Sequence, residues 1–289
     1  MRVFRKVLEG FRRKNQIETF MPNNFDFSYT SPSSIFSPLP SSFVGDNLSF
    51  FLSTRMATTI QGNVATTVDQ KKRALRMKIR KDLKSMPLSH RRQEDELIQS
   101  IILNSSWLGP CKSLCAYISS EDLREVDTSR ILSQVISNLD GKHAKKKLYV
   151  PRVEDRNSNM RMLHISTMED LIENSMNILE PSPVDAHGNP REDVMQTSDP
   201  VDVFLLPGLA FDCSGRRIGR GGGYYDVFLR KYQELVSQRK WKKPLLVSLA
   251  YSVQIMDEGV IPITQDDFPV DAIVCPSGVI QVDPAIERK

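Results

Sequence analysis

The chain lacks any run of about 18 apolar residues, so its 289 residues contain no segment able to cross a bilayer as a helix. Cysteine is scarce. Of the four, Cys111 and Cys115 have three residues between them and no His or Cys pair nearby, while Cys213 and Cys275 stand alone. That is a poor zinc signature, and buried thiols in a reducing compartment are the better reading. No internal repeat is present. Charge of one sign is also missing: 39 basic residues face 35 acidic ones, for a net +4. Most of the surplus sits at the start, where residues 1–57 carry seven basic and four acidic side chains and so hold +3 of the +4. The near-neutral remainder argues against a broad nucleic-acid surface.

The opening MRVFRKVLEGFRRKNQ is basic and helix-capable, and the SYTSPSSIFSPLPSSF that follows is serine-rich with helix-breaking prolines. Residues 1–57 therefore read as an organelle transit peptide or a disordered N-terminal extension, with the early arginines favouring a mitochondrion over a plastid. A single catalytic α/β domain is expected over 68–289.

Within it, VDQKKRALRMKIRKDLKSM places Val68, Leu75, Ile79, Leu83 and Met86 on one helical face, ended by Pro87. Ser89 is the expected cap of a second helix with Leu97, Ile98, Ile101 and Ile102 as its apolar set. Strands are expected at 113–118, 147–150 (ended by Pro151-Arg152), 160–165, 201–206, 245–251 and 272–275. Helices are expected after Thr128, after Thr167 and over 225–236. Residues 177–200, polar and proline-bearing, read as a long loop, the kind that often carries function. Strands alternating with helices predict an α/β fold with a largely parallel sheet.

The densest chemical signal is Ile218-Gly-Arg-Gly-Gly-Gly-Tyr-Tyr-Asp226, between an apolar strand and a helix. Glycines let backbone N–H groups approach a ligand and tolerate positive φ. At a helix N-terminus such groups form an anion cradle. Arg216, Arg217 and Arg220 add full charges, so phosphate is the natural guest. Neither common phosphate loop is present: there is no G-x-x-x-x-G-K-[ST], and G-x-G-x-x-G fails from Gly219, Gly221 and Gly223. The bland alternative is a turn packed on an aromatic pair. Asp226, one turn away, is a hard ligand suited to Mg²⁺ beside phosphate. Asp271, at the head of an apolar strand, is a candidate second carboxylate or simply a turn cap. On the first helix Lys72, Arg76 and Arg80 share a face away from the core stripe, either solvated or bridged by an anion.

Pro207-Gly-Leu-Ala-Phe-Asp212 followed by Gly215-Arg-Arg-Ile-Gly-Arg-Gly-Gly-Gly-Tyr-Tyr-Asp226 resembles the signature of the 5-formyltetrahydrofolate cyclo-ligases, also called 5,10-methenyltetrahydrofolate synthetases. The resemblance extends over about residues 70–275. It includes Lys72-Arg73-Ala74-Leu75-Arg76, Glu125-Val126-Asp127-Thr128, Val150-Pro151-Arg152 and Val270-Asp271. It implies a three-layer α/β/α sandwich similar to the ribose-phosphate isomerase and CoA-transferase group. It also implies ATP- and Mg²⁺-dependent conversion of 5-formyltetrahydrofolate to 5,10-methenyltetrahydrofolate, with release of ADP and phosphate. By position, Lys72, Arg73, Arg76, Arg217, Gly219, Arg220, Gly221, Gly222, Gly223, Tyr224 and Tyr225 would contact ATP. Glu125, Arg220 and Tyr225 would contact the folate, with Arg220 and Tyr225 at the chemistry, and Asp226 and Asp271 would hold Mg²⁺. Gly222 departs from members that carry lysine there, which leaves Arg220 and the first-helix cations more of the phosphate work. A monomer is expected, acting on folate with or without a polyglutamate tail.

The implied chemistry needs no covalent nucleophile. A formyl amide is a poor electrophile; phosphorylating its oxygen creates a leaving group that N10 can displace, so alignment and charge neutralisation are the protein's tasks. None of the four histidines forms a persuasive Ser/His/Asp set. Rival readings are a sugar-phosphate isomerase or CoA transferase, which would need no ATP, and a non-catalytic folate reservoir.

Overall fold

The computed structural model describes residues 53–137, 146–174 and 178–282, all within one compact unit, Phe51–Lys289. The expectation for residues 1–52 lies outside these. Helix α1 spans Ser53–Ser85 and α2 Leu88–Leu103; α3 (Ser129–Ser137) and α4 (Tyr224–Gln238) complete the set. The central sheet uses β1 (Ser113–Ala116), β2 (Lys147–Val153), β3 (Met160–Ile165), β6 (Val203–Leu206), β9 (Leu245–Leu249), β11 (Ala272–Cys275) and β12 (Gly278–Gln281). Its order is β12-β11-β9-β6-β1-β2-β3. The five inner strands are parallel, and only the edge strands β3 and β12 run antiparallel.

Because strand side chains alternate between faces, the run Val203-Phe204-Leu205-Leu206 feeds two cores. Val203 and Leu205 pack with Ile79, Leu83, Ile98, Ile102 and Leu132 of α1–α3. Phe204 and Leu206 pack with Phe228, Leu229 and Tyr232 of α4. The expected three-layer α/β/α sandwich with a largely parallel sheet is therefore the observed one. Two small sheets flank it. One joins β4 (Leu171–Glu173) to β5 (Leu179–Pro181); the other joins β7 (Ala210–Asp212), β8 (Arg217–Ile218) and β10 (Ile255–Met256).

Several local expectations are corrected. Helix α1 begins at Ser53, upstream of the expected start at Val68, so the last residues of the 1–57 segment, 53–57, are helical. Pro87, not Ser89, holds the N-cap of α2, and Leu97 is exposed. Thr128 turns its hydroxyl to the Tyr117 carbonyl (3.0 Å), while Asp127 and Gln99 accept from the N–H groups of Ser129 and Arg130. Strand β2 continues through Pro151 to Val153. It has β1 beside it only as far as Tyr149, so Pro151 lies where one side of the strand is open and a missing N–H is tolerated. After Thr167 a single 3-10 turn (Met168–Asp170) gives way to β4. The 177–200 loop contains β5 and a second 3-10 turn, Val194–Gln196. Cys111, Cys115 and Cys275 are buried, but Cys213 is exposed.

Candidate active site

The carboxyl ends of β1 and β6 open onto a cavity, as expected at such a sheet edge. Apolar Tyr117, Ile118, Val153, Met160 and Leu179 line one side. Arg217, Gly219, Arg220, Gly222, Gly223, Tyr224, Tyr225 and Asp226 line the other, and Glu125 and Glu180 also contribute. Gln254 steadies the floor by donating to the carbonyls of Gly208 (3.0 Å) and Leu209 (3.2 Å).

The glycine loop is held by its carbonyls. Gly219 O accepts from Arg76 Nε (2.8 Å), Arg220 O from Arg80 Nη2 (3.1 Å), Gly222 O from Ser158 Oγ (2.5 Å) and Gly223 O from Val227 N (3.0 Å). The N–H groups of Gly219 through Gly223 donate to nothing among the described residues. Gly221 at φ 109° and Gly223 at φ 69°, the latter the N-cap of α4, adopt the backbone that L side chains avoid. A loop anchored by acceptors and left with a row of free donors at a helix N-terminus is an anion cradle. A Cβ on Gly222 would meet the Tyr224 ring at 2.7 Å, so a lysine at this position requires that ring to move.

Each cation of the stripe on α1 has a partner, although Arg80 stays exposed. Buried Lys72 pairs with Asp267 Oδ2 at 2.5 Å, and Arg76 and Arg80 grip the loop. Burial, then the nearby Arg80, lower the pKa of Arg76 from its ordinary value. Arg73, on the same helix, is exposed and forms no hydrogen bond or ion pair with the loop among the described residues. Nor does Arg216 reach it; its guanidinium lies toward Gly259.

Arg217 is buried and donates to Asp226 Oδ1 (2.6 Å) and to Pro207 O (3.2 Å); its Nε has no partner among the described residues. Arg220 donates to Glu125 Oε1 (3.0 Å) and to the Leu123 carbonyl. The Tyr251 hydroxyl sits between Asp95 Oδ1 (2.7 Å) and the Glu125 carbonyl (3.1 Å), which fixes the Glu125 segment. Burial, followed by the Glu125 charge, raises the Tyr225 pKa, so its phenol stays protonated and able to donate.

For the second carboxylate the structure offers another acid beside the expected Asp271. Asp271 stands at the amino end of β11 and accepts from Leu246 N (2.8 Å); it and Asp267 both line a cavity whose lining does not include Asp226. Asp271 caps the sheet, the bland alternative. Asp267 is the other acid: Phe268 N donates to Asp226 Oδ1 (3.3 Å), which sets the preceding residue, Asp267, beside Asp226. One oxygen of each acid, Asp226 Oδ2 and Asp267 Oδ1, accepts no hydrogen bond among the described residues. Two hard carboxylates with a free oxygen each, next to a phosphate cradle, fit Mg²⁺, which needs little more from protein. Among the described residues no three His, Cys, Asp or Glu side chains cluster as a closed metal site.

Asp267, Glu180, Ser158 and Gln254 were missed by sequence reasoning. Only Asp267 had a local signal, the Thr264-x-x-Asp267 turn in which the acid accepts from Thr264 N (2.6 Å).

A model of the 5-formyltetrahydrofolate cyclo-ligase family matches residues 68–276. The chain is 57% identical over 218 residues to the mitochondrial 5-formyltetrahydrofolate cyclo-ligase of Arabidopsis thaliana, covering 75% of this chain and 78% of that one. It is 28% identical over 213 residues to the mouse 5-formyltetrahydrofolate cyclo-ligase, covering 73% and 96%. The NMR structure of the Aquifex aeolicus 5,10-methenyltetrahydrofolate synthetase superposes with a TM-score of 0.57 at 26% identity, covering 73% of this chain and 92% of that one.

Proposed function

The chain belongs to the 5-formyltetrahydrofolate cyclo-ligase family, and from that premise we propose that it cyclises 5-formyltetrahydrofolate to 5,10-methenyltetrahydrofolate, converting ATP to ADP and phosphate. The observation that carries this is the row of free N–H donors from Gly219 to Gly223, backed by Arg76 and Arg80.

The γ-phosphoryl group passes to the formyl oxygen and ADP leaves. N10 then attacks the formyl carbon, phosphate departs with that oxygen, and N10 gives up its proton to leave the methenyl cation. The loop N–H groups and Lys72 hold the polyphosphate, and Arg220 neutralises the oxygen that gains charge. Glu125 keeps Arg220 aimed, and Arg217 orients Asp226. Tyr225 donates from the cavity wall. Asp226 and Asp267 would hold Mg²⁺, which would screen charge on the transferring group. The apolar wall of Tyr117, Val153, Met160 and Leu179 receives the folate and excludes water.

Purified protein is expected to form methenyl product and ADP one for one, with no ADP formed when the folate is omitted. Folate-independent ATP turnover, or product without ATP, contradicts the reading. The basic, serine-rich residues 1–57 and the mitochondrial designation of the Arabidopsis relative support a mitochondrial location, with a plastid as the alternative. A reporter fused to this segment should enter mitochondria, and a diffuse signal counts against it. We further propose a monomer that accepts folate with or without a polyglutamate tail.

A further inference from the structure

Three carboxylates line the cavity, and two of them already face an arginine. Asp226 faces Arg217 and Phe268 N. Glu125 gives Oε1 to Arg220 (3.0 Å) and Oε2 to Ser120 N (3.1 Å). The third, Glu180, is different. It is 8% exposed and sits among Ile178, Leu179, Val153 and Met160. Its Oε1 accepts from Val153 N (3.2 Å), and Oε2 has no partner among the described residues. Among the described residues no lysine, arginine or histidine forms an ion pair with it, and Arg217 and Arg220 pair with Asp226 and Glu125 instead.

A buried carboxylate without a cation is unfavourable on its own. The strand that carries it is nevertheless pinned in place. Pro181 O accepts from Arg152 Nη1 (2.9 Å), Val153 N holds Glu180, and Ile172 pairs with Glu180 across β4–β5. The side chain is therefore held rigidly toward the cavity with acceptor capacity to spare, and the missing partner must arrive with a ligand. That partner should be rich in N–H donors and flat enough for an apolar slot. On the cyclo-ligase reading, which this inference rests on, the pterin ring offers such an edge in its 2-amino group and adjacent N3–H.

We propose that Glu180 accepts from the amino–imino edge of the pterin and so sets which folates the site admits, while Glu125 serves as the positioning residue for Arg220. Two neighbouring N–H donors facing one carboxylate form the charge-assisted, paired geometry that discriminates best.

The test is binding of 5-formyltetrahydrofolate and of its 2-desamino analogue to wild type, Glu180→Gln and Glu125→Gln, with thermal melts as a check on folding. Val153 N fixes the amide oxygen of Glu180→Gln on its own side, so an NH₂ group then faces the pterin donors. Wild type should prefer the natural folate by about tenfold or more. Glu180→Gln should lose that preference, with the loss falling on KM for folate rather than on kcat or on KM for ATP. Glu125→Gln should keep the preference and raise KM for ATP. A folded Glu180→Gln protein that still discriminates overturns the proposal. Should that variant not fold, wild-type indifference to the 2-amino group overturns it equally. Wild type that binds no folate at all sinks the cyclo-ligase reading itself, a separate outcome.

Discussion

Lys72, on the first helix, and Asp267, on the loop before β11, meet in an ion pair of 2.5 Å across 195 residues of chain. The pair joins the helix whose arginines clamp the glycine loop to the acid that stands beside Asp226. Burial opposes ionisation of Asp267, but the bonds from Lys72 and Thr264 outweigh it and hold its pKa below the ordinary value. A depressed carboxyl pKa contributes stability above the unfolded value, and that contribution is lost as pH falls. Lys72→Met should weaken the acid limb of the stability curve, reduce stability at neutral pH by about 1–2 kcal/mol, and raise KM for ATP. Thermal melts from pH 3 to 8, set beside ATP kinetics, check it. An unchanged KM for ATP would remove Lys72 from the phosphate site.

The three aspartates should separate cleanly. Asp226→Asn and Asp267→Asn are each expected to cut kcat by at least about 10²-fold, within the range of lost electrostatic stabilisation, with folate affinity largely kept. Asp271→Ala should lose about 1–2 kcal/mol of stability by orphaning Leu246 N, with kcat near wild type. Steady-state kinetics at several magnesium concentrations distinguish them. A large kcat loss at Asp271 would restore it to the metal site.

Ser158 lies in the β2–β3 turn at φ 64° and donates to Gly222 O at 2.5 Å, while Tyr224 donates from above to Asp155 O at 3.0 Å. The Asp155 carboxylate stiffens that turn by accepting from the N–H groups of Asn157 (2.8 Å) and Asn159 (3.3 Å). Ser158→Ala should therefore loosen the cradle and raise KM for ATP about three- to tenfold, roughly one hydrogen bond, with little change in melting temperature. Equal ATP kinetics would mean that the turn does not act on the loop.

Asp95 accepts from Asp127 N (2.9 Å) and from Tyr251 (2.7 Å), both at Oδ1. Burial pushes its pKa up to about 6, against the pull of those two hydrogen bonds. A raised carboxyl pKa favours the fold below the unfolded value, and that advantage is lost as pH rises through about 6. Asp95→Asn, whose oxygen can keep both bonds, should stabilise the protein at pH 8 by about 1 kcal/mol after allowing for partial exposure. The gain should shrink toward pH 4. Melts of both proteins across this range decide it, and a constant difference would contradict the assignment.

Short-range patterns were legible. Alternation along 203–206 and the 3.6-residue stripe of α1 are consequences of local geometry, and both cores follow from them. The glycine run also announced itself, since no ordinary turn needs that much bare backbone beside arginines. Less legible were elements whose state depends on a neighbour. Pro151 continues a strand because β1 stops beside it, and the 171–173 segment extends because β5 pairs with it, as nothing in either local sequence says.

The amino-acid sequence alone determined six strands of the central sheet, the main helices, and the place of the glycine loop and the cations near it, because spacing along the chain decides which side chains share a face. Tertiary structure alone decided which acid stands beside which base. Asp267 rather than Asp271 neighbours Asp226, Arg220 claims Glu125, and Glu180 is left facing the cavity. Those pairings join residues far apart along the chain, and their choice rests on the path of loops through space, which spacing does not encode.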